Sequence, residues 1–350
     1  MDNEGTNASN RNNRLPRLGF LGAGWIGRHR MQCIANSGAA EIASICDSSP
    51  DCVAAVAKTY PDIAIAESLD ELLDGDLDGI VIATPSALHP EQSVRALQRN
   101  LAVFCQKPLG RTAREVAAII RAAQAADRIL GVDFSYRFTD GMQKIKQAIA
   151  SGSIGDVYAC DLTFHNAYGP DKPWFYDPSL SGGGCVMDLG VHLVDLALWT
   201  LNFPSLLNAT SKLFAAGKPL QQSSGQVEDY GIATIELSSG VVVRIACSWK
   251  LPVGCDAIIS ANFFGSQGAL AFQNVNGSFY DFVTERFSGT SRTILSSPPD
   301  DWGGRAAVAW AKQLQQNRSF DLEVAHAIEV AAVLDAIYGR EKSSAVAKAA

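Results

Sequence analysis

Six short apolar runs lie between Arg17 and Phe134: RLGFL, EIASIC, IAIA, DGIVIA, LAVFC and ILGVDF. Between them stand WIGRHRMQCIANS, PDCVAAVAKTY, SLDELLD, HPEQSVRALQRN and TAREVAAIIRAAQAAD, which carry helical patterns. Strands that alternate with helices in this way predict a parallel sheet covered on both faces. The first part of the chain is therefore expected to be an α/β, doubly wound, Rossmann-type sheet.

The pattern changes after about Thr139. DGMQKIKQAIASGSIG reads as a helix with a glycine stop. Longer strands follow: DVYACDLTFH, LLNATSKLFAA, EDYGIATIEL, VVVRIACSW and DAIISANFFG, with a turn at Ser238–Gly240. They predict an antiparallel-rich sheet with helices on one side. The apolar helix DLEVAHAIEVAAVLDAIYG should dock on a core. The expected organisation is a polar tail over 1–15, the α/β domain over 16–138 and a second domain over 139–350. Within the latter, the late helix at about 321–338 is a candidate to pack back on the first domain.

The first strand runs into FLGAGWIGRHR, where Gly22, Gly24 and Gly27 have the spacing G-x-G-x-x-G. The motif alone is weak. Here it follows a predicted strand, opens a predicted helix, and has Asp47 20 residues after Gly27 at the end of the second strand. Gly22 permits the tight turn, Gly24 lets backbone approach a pyrophosphate, and Gly27 allows helix to pack closely on strand. The helix N-terminus offers free N–H groups to the anion. Trp25 and Ile26, between the last two glycines, join the cofactor-binding set. Asp47 would repel a 2′-phosphate by about 1–4 kcal/mol at ~4 Å, and the following SSPD offers no cation. The expected cofactor is NAD rather than NADP.

Two further clusters carry chemistry. Thr84 and Pro85 end the fourth strand, where open α/β sheets place ligands. His89 opens the next helix, and Lys107-Pro108 ends the fifth strand. Spacing alone favours an ordinary exposed lysine and a structural histidine. The third cluster is SLSGGGCVMDLGVHLVDLALW. Asp188 and His192 are four apart on one helix face, and Asp195 is a candidate to extend it. Carboxylate and imidazole suit general acid–base work, since imidazole titrates near neutral pH. The alternative is a structural Asp–His pair. The three glycines ahead suggest close backbone approach to something. In NAYGPDKPWFYDPSLSGGG, Trp174, Phe175 and Tyr176 are candidates to stack on a ligand face, and Lys172 or Asp177 to bind its polar groups. A loop pinned by its own aromatics is the favoured reading of them.

Composition excludes other classes. The chain has 350 residues, net charge −7 and no long basic run, which argues against nucleic acid. No apolar stretch reaches the ~18 residues of a membrane span. MDNEGTNASNRNN is polar, lacks the apolar region of a signal peptide, and reads as a disordered tail on a cytoplasmic protein. Eight scattered cysteines include no C-x-x-C pair, so they read as free thiols and no metal site is expected.

Taken together, GFLGAGWIG, IATPSALHPEQ, QKP, FSYRF and GGGCVMDLGVHLVDLALW resemble the Gfo/Idh/MocA oxidoreductases from about Arg17 to Gly339. The resemblance implies a Rossmann domain joined to an α/β domain with an open, mostly antiparallel sheet. It also implies hydride transfer between a nicotinamide cofactor and a secondary alcohol or ketone of a sugar or cyclitol. By it, His192 would be the general base, Lys107 would hold the reacting oxygen, and Asp188 would position the hydroxyl. Thr84, Pro85, His89, Gln106 and Lys107 would line the cofactor, and Tyr136 and Arg137 the cleft. A homo-oligomer, dimer or tetramer, is implied as well. Two other functions occur on this fold: glycoside cleavage with a transient oxidation and retained NAD, and dinucleotide-dependent regulation without catalysis. One residue departs from the family pattern: Gln106 stands where a glutamate is usual, so residue 106 brings no negative charge beside Lys107.

Overall fold

The computed structural model describes residues 14–221 and 225–340. Of the expected polar tail, residues 1–13 lie outside the described residues.

The first layer is built as the alternation predicts. Strands β1 (Arg17–Leu21), β2 (Glu41–Cys46), β3 (Ala64–Ile65), β4 (Gly79–Ile82), β5 (Ala102–Cys105) and β6 (Leu130–Val132) are linked by helices. These are α1 (Trp25–Ser37), α2 (Pro50–Thr59), α3 (Leu69–Leu73), α4 (His89–Gln98) and α5 (Ala113–Ala126). Local chemistry sets several helix starts: Ser49, Ser68 and Thr112 each accept a backbone N–H from the first turn. The sheet order is β3-β2-β1-β4-β5-β6, and every pair is parallel. The winding reverses between β1 and β4, which opens a crevice at the carboxyl ends of the strands.

The second layer contains α6 (Asp140–Ala150), β7 (Val157–Asn166), α7 (Pro178–Ser181), α8 (Val191–Thr200), β8 (Leu206–Ala215), β9 (Lys218–Pro219), β10 (Tyr230–Leu237) and β11 (Val242–Ser248). It continues through β12 (Ala257–Gly265), β13 (Gly268–Asn274), β14 (Phe282–Ser288) and β15 (Ser291–Ser296). Their order is β15-β14-β13-β12-β7-β11-β10-β8-β9, and only β7 with β11 is parallel. The expected turn closes β10 onto β11, with Gly240 at φ +85° donating its N–H to the Leu237 carbonyl. Period-two alternation sends Cys160, Leu162, Phe164, Ile235, Val243 and Ile245 into the core. Helices α6, α8 and α10 (Ala327–Ile337) cover that side. Asp161, Thr163, Lys212, Ile232, Thr234 and Arg244 line a shallow groove on the open face.

Strands β13 to β15 and helix α9 (Arg305–Gln316) carry no expectation from the sequence. β14 and β15 lie at the sheet edge, where most side chains of β15 are exposed and hydrophobic alternation is lost. Helix α9 is rich in alanine, and its Ala307, Trp310 and Leu314 share a core with Phe20, Val81 and Phe104 of the parallel sheet. Helix α10 packs on α5 and α8, and Asp335 accepts the Ala113 N–H at 2.8 Å. Two C-terminal helices thus touch the first layer. No helix among the described residues is long and apolar enough to cross a membrane.

Candidate active site

The glycine loop after β1 is shaped by close approach at two of its three positions. A Cβ on Gly22 (φ +91°) would meet the Ala83 carbonyl oxygen at 2.6 Å, and one on Gly27 would meet the Gly22 oxygen at 2.1 Å. A Cβ on Gly24 would have nothing within 4 Å. Gly24 is the N-cap of α1, no side chain caps that terminus, and the first turn holds no acid. Asp47 reaches in from the end of β2: its carboxylate accepts the Ala23 N–H at 2.6 Å and the Ser49 N–H at 2.7 Å. Open space above Gly24, an uncapped helix N-terminus and a carboxylate beside the loop fit the pyrophosphate and ribose of a dinucleotide. Ile26 is half-buried, whereas Trp25 is exposed and stacks on His29 with centroids 5.6 Å apart.

The loops after β4 and β5 are tied together by His89. Its Nδ1 lies 2.8 Å from the Pro108 carbonyl and its Nε2 2.8 Å from the Thr84 carbonyl. A neutral imidazole donates to one carbonyl at a time, and burial lowers the pKa of this one. His89 is 1% exposed. Each ring nitrogen faces a backbone carbonyl, so His89 ties together the two loops that the resemblance assigns to the cofactor. Thr84 donates its hydroxyl to Gln92 at 2.5 Å, and Pro85 leads into the short turn before α4.

Lys107 is not the free surface lysine that spacing favours. Its Nζ donates to Asp188 Oδ1 at 2.6 Å and to the Asp188 carbonyl at 2.7 Å. The other carboxylate oxygen of Asp188 accepts the Trp249 indole N–H at 3.1 Å. The Lys107–Pro108 bond is cis. Gln106 indeed carries no charge, yet Lys107 has Asp188 as its carboxylate neighbour. Residues 81 apart in sequence thereby meet across the two layers.

His192 completes the cluster. Burial, the Lys107 ammonium and the Arg30 guanidinium hold its pKa well below 6.5, so the ring is neutral at neutral pH. Its ring packs edge-on against Tyr136 at 4.9 Å, and Tyr136 packs on Trp302 at 4.8 Å. Burial pushes the Tyr136 phenol up. Asp188 lies in a π-helical turn, Val186–Gly190, that passes directly into α8; such turns are frequent at functional sites.

Two residues near this face pair with each other. The Asp195 carboxylate is buried and ion-paired with Arg137. The Arg137 guanidinium is held by Asp195 and lies over the Phe134 and Phe203 rings at 4.8 and 5.4 Å. The aromatic loop sits over Trp249: Phe175 and Tyr176 meet it edge-on at 6.2 and 5.6 Å, and half-buried Trp174 stacks on Phe175 at 3.8 Å. Asp177 is occupied in capping α7 through Ser179, and Lys172 pairs with Asp171 at 3.2 Å.

The three glycines before Asp188 do mark a close approach, but the protein itself makes it. A Cβ would meet Arg111 Cβ at 2.7 Å from Gly182, the Tyr338 hydroxyl at 2.1 Å from Gly183, and the Glu228 carbonyl at 1.8 Å from Gly184. Glu228 is fully buried. Its Oε1 accepts the N–H groups of Gly184 and Val186, each at 2.9 Å, and the Tyr338 hydroxyl at 2.7 Å. Burial raises its pKa, against the pull of these donors. Arg340 adds hydrogen bonds to the carbonyls of Arg111 and Gly182. Glu228, Tyr338 and Trp249 carry no motif; each is linked to the site by partners more than 40 residues away. All eight cysteines are free, and no cluster of metal-ligating side chains occurs among the described residues.

This geometry has relatives. Residues 16–134 match the profile of the oxidoreductase family, NAD-binding Rossmann fold, and residues 142–271 that of the GFO/IDH/MocA C-terminal domain. The D-glucoside 3-dehydrogenase of Escherichia coli is 26% identical over 80% of this chain and 85% of its own. The inositol 2-dehydrogenase of Rhizobium meliloti is 27% identical over 74% and 76%. The structure of levoglucosan dehydrogenase in complex with NADH and levoglucosan superposes with a TM-score of 0.79, at 20% identity, over 93% of this chain and 97% of that one.

Proposed function

The chain belongs to the Gfo/Idh/MocA oxidoreductases, and on that premise we propose that it transfers a hydride between NAD(H) and a secondary alcohol or ketone of a sugar, sugar derivative or cyclitol. The observation that carries this reading is the Lys107–Asp188 ion pair, with neutral His192 beside it, at the strand ends next to the glycine loop.

The bound nicotinamide supplies one thing, a carbon that takes up or gives back hydride. The chain's own groups do the rest. Neutral His192 accepts the hydroxyl proton in oxidation and returns it in reduction. Two of the three Lys107 N–H groups are engaged by Asp188, which leaves one for the reacting oxygen. Its charge stabilises that oxygen as negative charge develops. Asp188, steadied by Trp249, holds Lys107 and orients the substrate hydroxyl. Tyr136 and Trp174 are the aromatic surfaces assigned to the sugar. Gly22, Gly24, Trp25, Ile26, Gly27, Asp47, Thr84, Pro85 and Gln106 line the cofactor, with residues 16–138 forming its domain and 139–350 the substrate domain.

Asp47 favours NAD over NADP, because a 2′-phosphate would lie against its carboxylate. The open face of the second sheet, with exposed Ile232, Val242 and Ile258, is the surface for a homo-oligomer. The site is assigned to the cytoplasm.

The test is nicotinamide absorbance during incubation with NAD and a panel of sugars, glycosides and cyclitols. The wild type should form NADH, whereas Lys107→Ala and His192→Ala should bind NAD and form none. Tight NAD binding without NADH on any substrate would refute the dehydrogenase reading. Tighter binding of NADP than NAD would refute the role of Asp47.

A further inference from the structure

Behind the Lys107 cluster lies a second buried charge pair. Arg30, on α1, donates Nε–H to Asp133 Oδ2 at 2.6 Å. Gln106 donates its amide N–H to the same oxygen at 2.5 Å. Gln106 and Asp133 follow adjacent strands β5 and β6, and their backbone N–H groups bond to Ile82 and Cys105 at 2.9 Å. All three side chains are at least 93% buried. Arg30 also donates to His29 Nδ1 at 2.7 Å. Asp133 Oδ1 is buried with no hydrogen-bond partner.

A polar group buried at the carboxyl end of a parallel sheet is costly unless its geometry is used. Here the geometry fixes an amide. An amide is planar, so the edge that gives its N–H to Asp133 determines where the carbonyl lies. A carboxylate at position 106 would instead set a second negative charge against Asp133 in place of the donated N–H.

We propose that Asp133, clamped by Arg30, is the positioning residue for Gln106, holding its amide carbonyl as a fixed acceptor for a hydroxyl of the dinucleotide beside Lys107. This rests on the NAD reading above. Residues 106 and 133 then form a matched pair, one amide and one carboxylate, and the position of the charge within the pair is interchangeable.

The test uses the full chain and direct NAD titration, followed by tryptophan fluorescence, beside thermal unfolding. Gln106→Glu should weaken NAD binding at least tenfold. The double variant Gln106→Glu/Asp133→Asn should return the dissociation constant to within about threefold of wild type. Asp133→Asn alone should raise KM for NAD, with kcat at saturating NAD changed less than threefold. Wild-type NAD affinity in Gln106→Glu would overturn the proposal. So would a double variant that regains thermal stability but not affinity, since the pair would then be only a structural staple. A wild type that binds no NAD would sink the functional reading instead, and these affinities keep the two failures apart.

Discussion

Two glycine triads serve this protein in opposite ways. In the loop after β1, Gly22 and Gly27 are held by backbone while the middle glycine faces open space. Before Asp188, all three glycines are filled from behind by Arg111, Tyr338 and Glu228. The first triad leaves room for a ligand; the second leaves room for the protein. A run of glycines therefore reports close approach, but not what approaches. The second triad still matters for chemistry, because the buried Glu228 carboxylate holds the start of the turn that carries Asp188 and leads into α8, which carries His192.

Single substitutions separate the two triads. Gly184→Ala sets a methyl into a backbone carbonyl, so it should cost about 3 kcal/mol or more in urea unfolding. A wild-type midpoint would refute the packing described here. Next is Tyr338→Phe, which removes one of three donors to Glu228. It should cost about 2 kcal/mol and lower kcat, with NAD affinity unchanged. An equal loss of NAD affinity would mean that the second triad also senses the cofactor. Gly24→Ala should do the reverse: stability unchanged, and NAD affinity down about tenfold, or ~1.4 kcal/mol. If Gly24→Ala unfolds the protein while binding NAD normally, the contrast between the triads collapses.

The last effect is one of pH, and it is gradual rather than all-or-none. The folded pKa of His192 is depressed below 6.5, mainly by burial. As pH falls below 6.5 the unfolded chain takes up this proton first, so stability declines until the lower folded pKa is passed. The slope is at most about 1.4 kcal/mol per pH unit for one group. Oxidation should slow as the folded ring titrates, because a protonated ring accepts no proton. His192→Gln should remove this part of the acid sensitivity; an identical acid profile in that variant would place the titration elsewhere.

Much of the fold was legible because its signals are local. The six parallel strands, the glycine turn and Asp47 sit within short windows, where periodicity and turn chemistry act on neighbouring residues. Strand β15 was not legible, since an exposed edge strand need not alternate. Helix α9 was missed because its small apolar residues acquire meaning only against the parallel sheet. At the site, Lys107, Asp188 and His192 were named from motifs and resemblance. The partners of Arg137 and His89 were not legible, because neither spacing nor resemblance tells which way a side chain turns. Arg137 found a buried carboxylate 58 residues away, and His89 found two carbonyls.

The sequence by itself determined the parallel order of elements in the first layer, the strand-rich second part and the residue types able to hold a dinucleotide and move a proton. Those follow from hydrophobic period, backbone freedom and side-chain chemistry, which are properties of short segments. Tertiary structure alone decided that Lys107 meets Asp188, that Trp249 and Glu228 steady the carrier turn, and that Gln106 faces Asp133. The reason is physical: buried polar groups must find partners, and which partner lies within 3 Å is settled only when distant segments pack.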